Sequence, residues 1–216
     1  MDQSQPVVPA HIYQLRVALR GVSPLIWRRL LVRSDITLAQ LHDILQAAFT
    51  WSDYHLHRFR IQGKQYGSEG GDPRRVRLTD FRLHPGERFS YFYNFIDDWE
   101  CEVRLEEVRP LELGRTYPVC IGGKRTAPPE DCGGAWAYLE LLDKHKYHPP
   151  WEDLSLIAEA LGRFLESRDQ QSLEDLNELR DAADRVKAYQ EFQPDRLDRR
   201  QLNEELRLLA QGGGEA

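Results

Sequence analysis

The segment Phe89 to Glu106, FSYFYNFIDDWECEVRLE, leaves the chain little choice of local structure. Phe89, Tyr91, Tyr93 and Phe95 recur at every second residue, as do Trp99, Cys101, Val103 and Leu105. A period of two places each set on one face of a β-strand. Asp97-Asp98 between them is turn chemistry, so the segment reads as a hairpin with one wall almost wholly aromatic or apolar. Such a wall must be covered by other elements, because water on that face would leave its apolar area unburied.

The remaining patterns supply the cover and the rest of a sheet. Tyr13, Leu15, Val17 and Leu19 alternate with polar residues and predict a strand over 11–20. A turn through Gly21-Val22-Ser23-Pro24 leads to a second strand, 25–32, with Trp27 and Arg29 on one face and Arg28 on the other. Thr37-Leu38-Ala39-Gln40 is a capping box, after which Leu38, Leu41, Ile44, Leu45 and Phe49 follow at helical spacing. A third strand is expected over 54–61, placing His55, His57, Phe59 and Ile61 on one face and Arg58 and Arg60 on the other. The glycine-rich loop after it has neither a Walker-type lysine nor a dinucleotide fingerprint. An irregular Pro/Gly-rich stretch, 110–134, precedes a helix over 135–143, and three helical patterns follow over 151–166, 172–189 and 199–210. The expectation is an α+β fold: a curved, mainly antiparallel sheet covered by helices, with residues 11–148 as the domain, 149–211 as a C-terminal helical extension packing on it, and disordered tails at 1–10 and 212–216.

Charge and cysteine content narrow the function classes. The net charge of −6 conceals a basic N-terminal half and an acidic C-terminal half, so nucleic acid is a possible partner only through the basic half. The first ten residues lack a basic start and apolar run, and no segment approaches the roughly 20 apolar residues that span a bilayer. The reading is therefore a soluble, cytoplasmic protein with no membrane partner. Three cysteines are an odd number, which argues against a disulfide framework.

Several ordered motifs carry a resemblance. PLIWRRLLV, the TLAQLHDILQAAFTW helix, HLHRF, the hairpin and APPEDCGG are together similar to the Ri-plasmid open-reading-frame-three-like family, over about residues 12–142, and FQPDRLDRRQLNEELRLL resembles that family's closing segment. The resemblance implies an α+β domain on a mainly antiparallel sheet. It implies little about function, since members are largely uncharacterised and carry labels such as mobile-element passenger or resolvase-like. Where the family has Asp, Gly and His in its hairpin this chain has Asn94, Ile96 and Cys101, and where the family often has a cysteine before the prolines it has Ala127.

Four sets of residues carry candidate chemistry. Cys101, Cys120 and Cys132, with His55, His57 or His145, would complete a tetrahedral zinc site, although free cysteine is also a common core residue. Asp98, Glu130 and Asp131 are the carboxylates with a candidate catalytic role, set against turn-forming and helix-capping duty. Tyr93, Asp98, Trp99, His55 and His57 are expected to line a ligand surface made by the hairpin turn and the PPEDCGG segment. Arg28 and Arg58, interleaved with aromatics, would suit phosphate or single-stranded nucleic acid. A serine resolvase needs a nucleophile amid arginines, and neither Ser23 nor Ser34 has such neighbours. The leading reading is a binding or interaction module, with an association with mobile elements as a further expectation. The alternatives are a metal-dependent hydrolase or nuclease and a nucleic-acid-binding accessory protein.

Overall fold

The computed structural model describes residues 11–168 and 175–212. The expected tails and the expected helix start at Ser172 fall outside these residues, apart from Gly212, which ends a helix. The strands are β1 (Ile12–Leu19), β2 (Trp27–Arg33), β3 (His57–Ile61), β4 (Lys64–Gly67), β5 (Arg88–Tyr93), β6 (Trp99–Arg109) and β7 (Val119–Lys124). The helices are α1 (Leu38–Phe49), α2 (Gly134–Tyr147), α3 (Trp151–Ser167), α4 (Leu176–Glu191) and α5 (Arg199–Gly212). All seven strands lie in one open sheet in the order β4-β3-β5-β6-β1-β2-β7, and every neighbouring pair is antiparallel. The α+β expectation is met. Among the described residues no helix is long and apolar enough to cross a membrane.

The hairpin's register decides what the sheet's inner face contains. Phe89 pairs with Val103, Tyr91 with Cys101 and Tyr93 with Trp99, so both apolar sets share one face. Leu15, Val17 and Leu19 of β1 join it opposite Leu105, Val103 and Cys101, and Phe59 of β3 joins opposite Tyr91. All of these side chains are buried. α1 covers the face: the Thr37 capping box starts it and Thr50, with φ 54, ends it, so its apolar stripe from Leu38 to Phe49 is delivered at full length.

Several boundaries differ from the sequence expectation for local reasons. β3 begins at His57 because Tyr54, His55 and Leu56 stay in the loop leaving α1. Phe95 falls off the inner face, since Asn94 at φ 53 ends β5 and opens a turn that runs to Asp98. The glycine-rich loop holds the short edge strand β4, and the 110–134 stretch holds the other edge strand, β7. Val119–Lys124 reads VCIGGK, whose adjacent glycines hide any alternation. β7 is positioned by α5: Asn203 accepts from the Cys120 N–H at 2.7 Å and donates to its carbonyl at 3.0 Å. That helix, expected within the C-terminal extension, packs on α1 and β7.

The chain divides into two compact units, one running to Tyr138 and resuming at Asp195, the other spanning Leu139–Pro194. In the second unit α3 and α4 pack together, with Ala160 and Ala182 buried. Arg185 binds Asp153 through Nε at 3.1 Å and Nη2 at 2.6 Å. His145 stacks on Tyr189, ring centroids 4.3 Å apart, and its Nε2 lies 3.2 Å from the Tyr189 carbonyl.

Candidate functional site

Polar residues concentrate where α1 ends, β3 begins and β5 stops. His42 and Gln46 are four apart on α1, so they share a face, and both are buried against β5. Gln46 Nε2 donates to the Tyr91 hydroxyl at 2.7 Å, the hydroxyl lies 2.8 Å from His42 Nδ1, and His42 Nε2 lies 2.8 Å from Asp53 Oδ1. One proton arrangement satisfies the chain: Tyr91 accepts from Gln46 and donates to His42 Nδ1, while His42 Nε2–H donates to Asp53. Asp53, at φ 58, is anchored in return by its N–H to Gln46 Oε1 at 3.1 Å. His57 lies flat on His42 with ring centroids 3.6 Å apart, and among the described residues its buried Nε2 has no hydrogen-bond partner. Burial, reinforced by the adjacent His42, pushes the His57 pKa down to about 4. Ligand atoms of His42, Asp53 and His57 all lie within 4.8 Å of one another.

An outer layer ties the hairpin turn to the PPEDCGG segment. The Tyr93 hydroxyl donates to Glu130 Oε1 at 2.5 Å, and the Ser52 N–H donates to Glu130 Oε2 at 2.8 Å. Burial alone would raise the Glu130 pKa, but the bonds from Tyr93 and Ser52 hold it below the usual value. Tyr93 shifts the other way, upward, through burial and the negative Glu130. Asp131 Oδ1 lies 2.9 Å from His55 Nε2 and accepts from Asn94 Nδ2 at 3.2 Å. Trp51 stacks on both Phe49 and Tyr93 and points its N–H at the Pro128 carbonyl, 3.3 Å away. The Gly133 N–H donates to Asp97 Oδ2, and Gly134, at φ 78, sits so close that a Cβ would lie 2.6 Å from the Asp97 carbonyl oxygen. Only glycine fits that approach. Tyr54, Leu56, Ile96 and Trp136, all large and exposed, belong to the same segments. A groove of about 710 Å³ between α1 and α5 reaches this end, lined by Gln46, Ser52 and Asp53 there and by Leu208 and Leu209 further along.

With this geometry in hand, comparison with other proteins identifies the relatives. Residues 11–201 match the family described as plasmid pRiA4b ORF-3-like protein. The chain belongs to that family. It is 36% identical over 142 residues to the uncharacterized protein y4hQ of Sinorhizobium fredii, covering 62% of this chain and 73% of the relative. The crystal structure of MM3350 from Methanosarcina mazei, a protein of unknown function, is similar at a TM-score of 0.67 and 30% identity, covering 89% of this chain and 97% of that one.

Within this family member, the structure places the sequence-derived candidates unevenly. Tyr93, His55, Glu130 and Asp131 do come together. His57 belongs to the deeper layer with His42, Gln46, Asp53 and Tyr91. Trp99 is 1% exposed and packs edge-on against Tyr138, so it is core and no ligand surface. Asp98, at φ 52, closes the turn. The cysteines are not gathered: β1 and β2 separate β6 from β7, so Cys101 and Cys120 lie three strand spacings apart, roughly 14 Å across the sheet, and are further offset along it because Cys101 pairs with Leu19 while Cys120 is in register with Leu15 through Leu30. Burial raises all three thiol pKa values, Cys120 Sγ donates to the Gly122 carbonyl, and among the described residues the one group of metal-ligating side chains found within reach of one another contains no cysteine.

Arg28 also changes role. It is 2% exposed, and it donates to the carbonyls of Ala48 at 2.8 Å, Trp27 at 2.9 Å and Lys124 at 3.0 Å while lying over the Phe49 ring. Strand alternation forces this, because Arg28 sits opposite Val17 on the inner face. Arg29 faces outward, in register with Arg16, which is opposite Arg104, which is opposite Arg88, so four arginines cross β2, β1, β6 and β5 in one row. Glu106 holds Arg29, Glu102 lies 3.2 Å from Arg88, and Arg16 and Arg29 both lie over Trp27. Arg58 pairs with Glu69 and, like Arg60, lies over Phe92 on the same outer face. His42, Gln46 and Asp53 were not among the sequence candidates. Their visible signal was two polar residues, four apart, interrupting the apolar stripe of the Leu38–Phe49 helix.

Proposed function

We propose that this chain is a binding module rather than a catalyst, its ligand surface formed by the hairpin turn, the Trp51–Leu56 loop and the Pro128–Trp136 segment. The supporting observation is that Glu130 and Asp131 are engaged in fastening these segments. Both Glu130 oxygens accept bonds, and Asp131 is held by His55 and Asn94, so a hydrolase using Asp98, Glu130 and Asp131 as reacting groups would have to break its own scaffold. Rigidly held loops that present exposed Tyr54, Leu56, Ile96 and Trp136 favour recognition. An association with mobile elements is part of this reading, and the plasmid in the family's description supports it. The test compares affinity capture from the native host by the wild type and by Ile96→Asp and Trp136→Ala. A partner held by the wild type and lost by both variants at unchanged Tm supports the surface; identical capture by all three removes it.

A second reading is favoured by the arginine row. Like charges directly opposite one another destabilise a sheet, and stacked Trp27 and Phe92 beside them match the chemistry that grips single-stranded nucleic acid. Fluorescence anisotropy with a single-stranded oligonucleotide should then show log affinity falling with log salt by about 0.7 per phosphate neutralised, and a shallower slope for Arg16→Ala and Arg104→Ala. No binding at low salt eliminates this reading.

A further inference from the structure

We propose that His42, His57 and Asp53 form a binding site for a divalent first-row transition ion, with Zn²⁺ as the reference probe. This goes beyond the binding-module reading and does not depend on any partner of that surface. The donor set is two imidazoles and one carboxylate, a combination that suits Zn²⁺, Co²⁺ or Fe²⁺ better than the oxygen-loving Mg²⁺ or Ca²⁺. Their ligand atoms lie within 4.8 Å of one another; because the two imidazoles are stacked nearly parallel, one ring must swing out of the stack for both in-plane lone pairs to reach one ion at about 2.0–2.2 Å.

Two further observations point to the same site. The buried His57 Nε2 has no hydrogen-bond partner among the described residues, an arrangement that costs free energy unless something occupies its lone pair. Finally, His42 has outer support: its Nδ1 faces the Tyr91 oxygen, which Gln46 fixes from behind. Metal at His42 Nε2 would displace the Asp53 hydrogen bond, the ring proton would move to Nδ1, and the Tyr91 hydroxyl would turn its own hydrogen away from Nδ1 so that its oxygen accepts that proton's bond. Asp53 would then bind the ion in place of the imidazole it now meets. Its side chain is 56% exposed and lines the groove between α1 and α5, so the ion would keep coordination positions open toward solvent.

The test uses the full chain, untagged and treated with a chelator, then titrated with Zn²⁺ by calorimetry and with Co²⁺ by visible absorption. The expected result is about one ion per chain and a rise in Tm with metal. Asp53→Asn and His57→Phe, the latter keeping a flat ring against His42, should remain folded by circular dichroism and lose the binding. Tyr91→Phe, which removes only the support behind His42, should weaken it by about 10-fold or more. No Zn²⁺ bound at excess, or stoichiometric binding unchanged in both Asp53→Asn and His57→Phe, overturns the site. Neither result bears on partner capture through Ile96 and Trp136, so the two proposals fail separately.

Discussion

The imidazoles of His42 and His57 are stacked, with ring centroids 3.6 Å apart and planes 14° from parallel. Two imidazoles at that separation cannot both become positively charged without strong repulsion, and burial adds to this at His57, whose ring is kept neutral. The stack joins α1 to β3 at the head of the polar cluster.

A pH dependence follows. The folded-state pKa of His57, about 4, lies below the unfolded value near 6.5, so between these values the unfolded chain binds more protons than the folded one. Stability from this group is full above about pH 6.5 and declines as pH falls toward 4. Thermal melts across that window should show the decline, and His57→Phe should flatten it. A His57 titration midpoint near 6.5 by NMR would contradict the stacked, buried geometry.

Arg28 makes a second prediction. Its fork satisfies three carbonyls from α1, β2 and β7, and it does so where no carboxylate is bonded to it among the described residues. Lysine keeps the charge but cannot span the three acceptors, so Arg28→Lys should cost about 3 kcal/mol in chemical denaturation. A loss below about 0.5 kcal/mol would mean the fork contributes little beyond its packing.

Asn203 guards the β7 edge. By bonding both backbone groups of Cys120 it replaces the neighbour that an edge strand lacks. Asn203→Ala should destabilise the fold by about 1–2 kcal/mol and speed hydrogen exchange at the Cys120 amide. Unchanged exchange there would show that the edge is held by other contacts.

The Tyr93–Glu130 bond ties the hairpin to the 127–134 segment. A double-mutant cycle with Tyr93→Phe and Glu130→Gln should return a coupling of about 1–2 kcal/mol, because the acceptor is charged and partly shielded. Additive losses would separate the two residues.

The hairpin, the α1 capping box and the antiparallel sheet were legible in the chain because period-two alternation, a period-3.6 stripe and turn residues are local signals. β7 was not, since VCIGGK becomes a strand only by pairing with β2 beneath Asn203 of α5. Arg28 and Arg29 are adjacent in sequence, yet the register sends one inward to bond carbonyls and the other outward into a row of four arginines contributed by four strands. The polar cluster shows the same division. His55 and His57 stood out in the sequence, but their partners His42, Asp53, Glu130 and Asp131 arrive from other segments, and the pairings depend on where α1 ends and how the Asn94 turn closes. Sequence by itself determined which residues alternate, cap and turn, because those depend on neighbours along the chain. Tertiary structure alone decided which side chains meet, because a contact across strands depends on register, and register is fixed only when the whole inner face is buried at once.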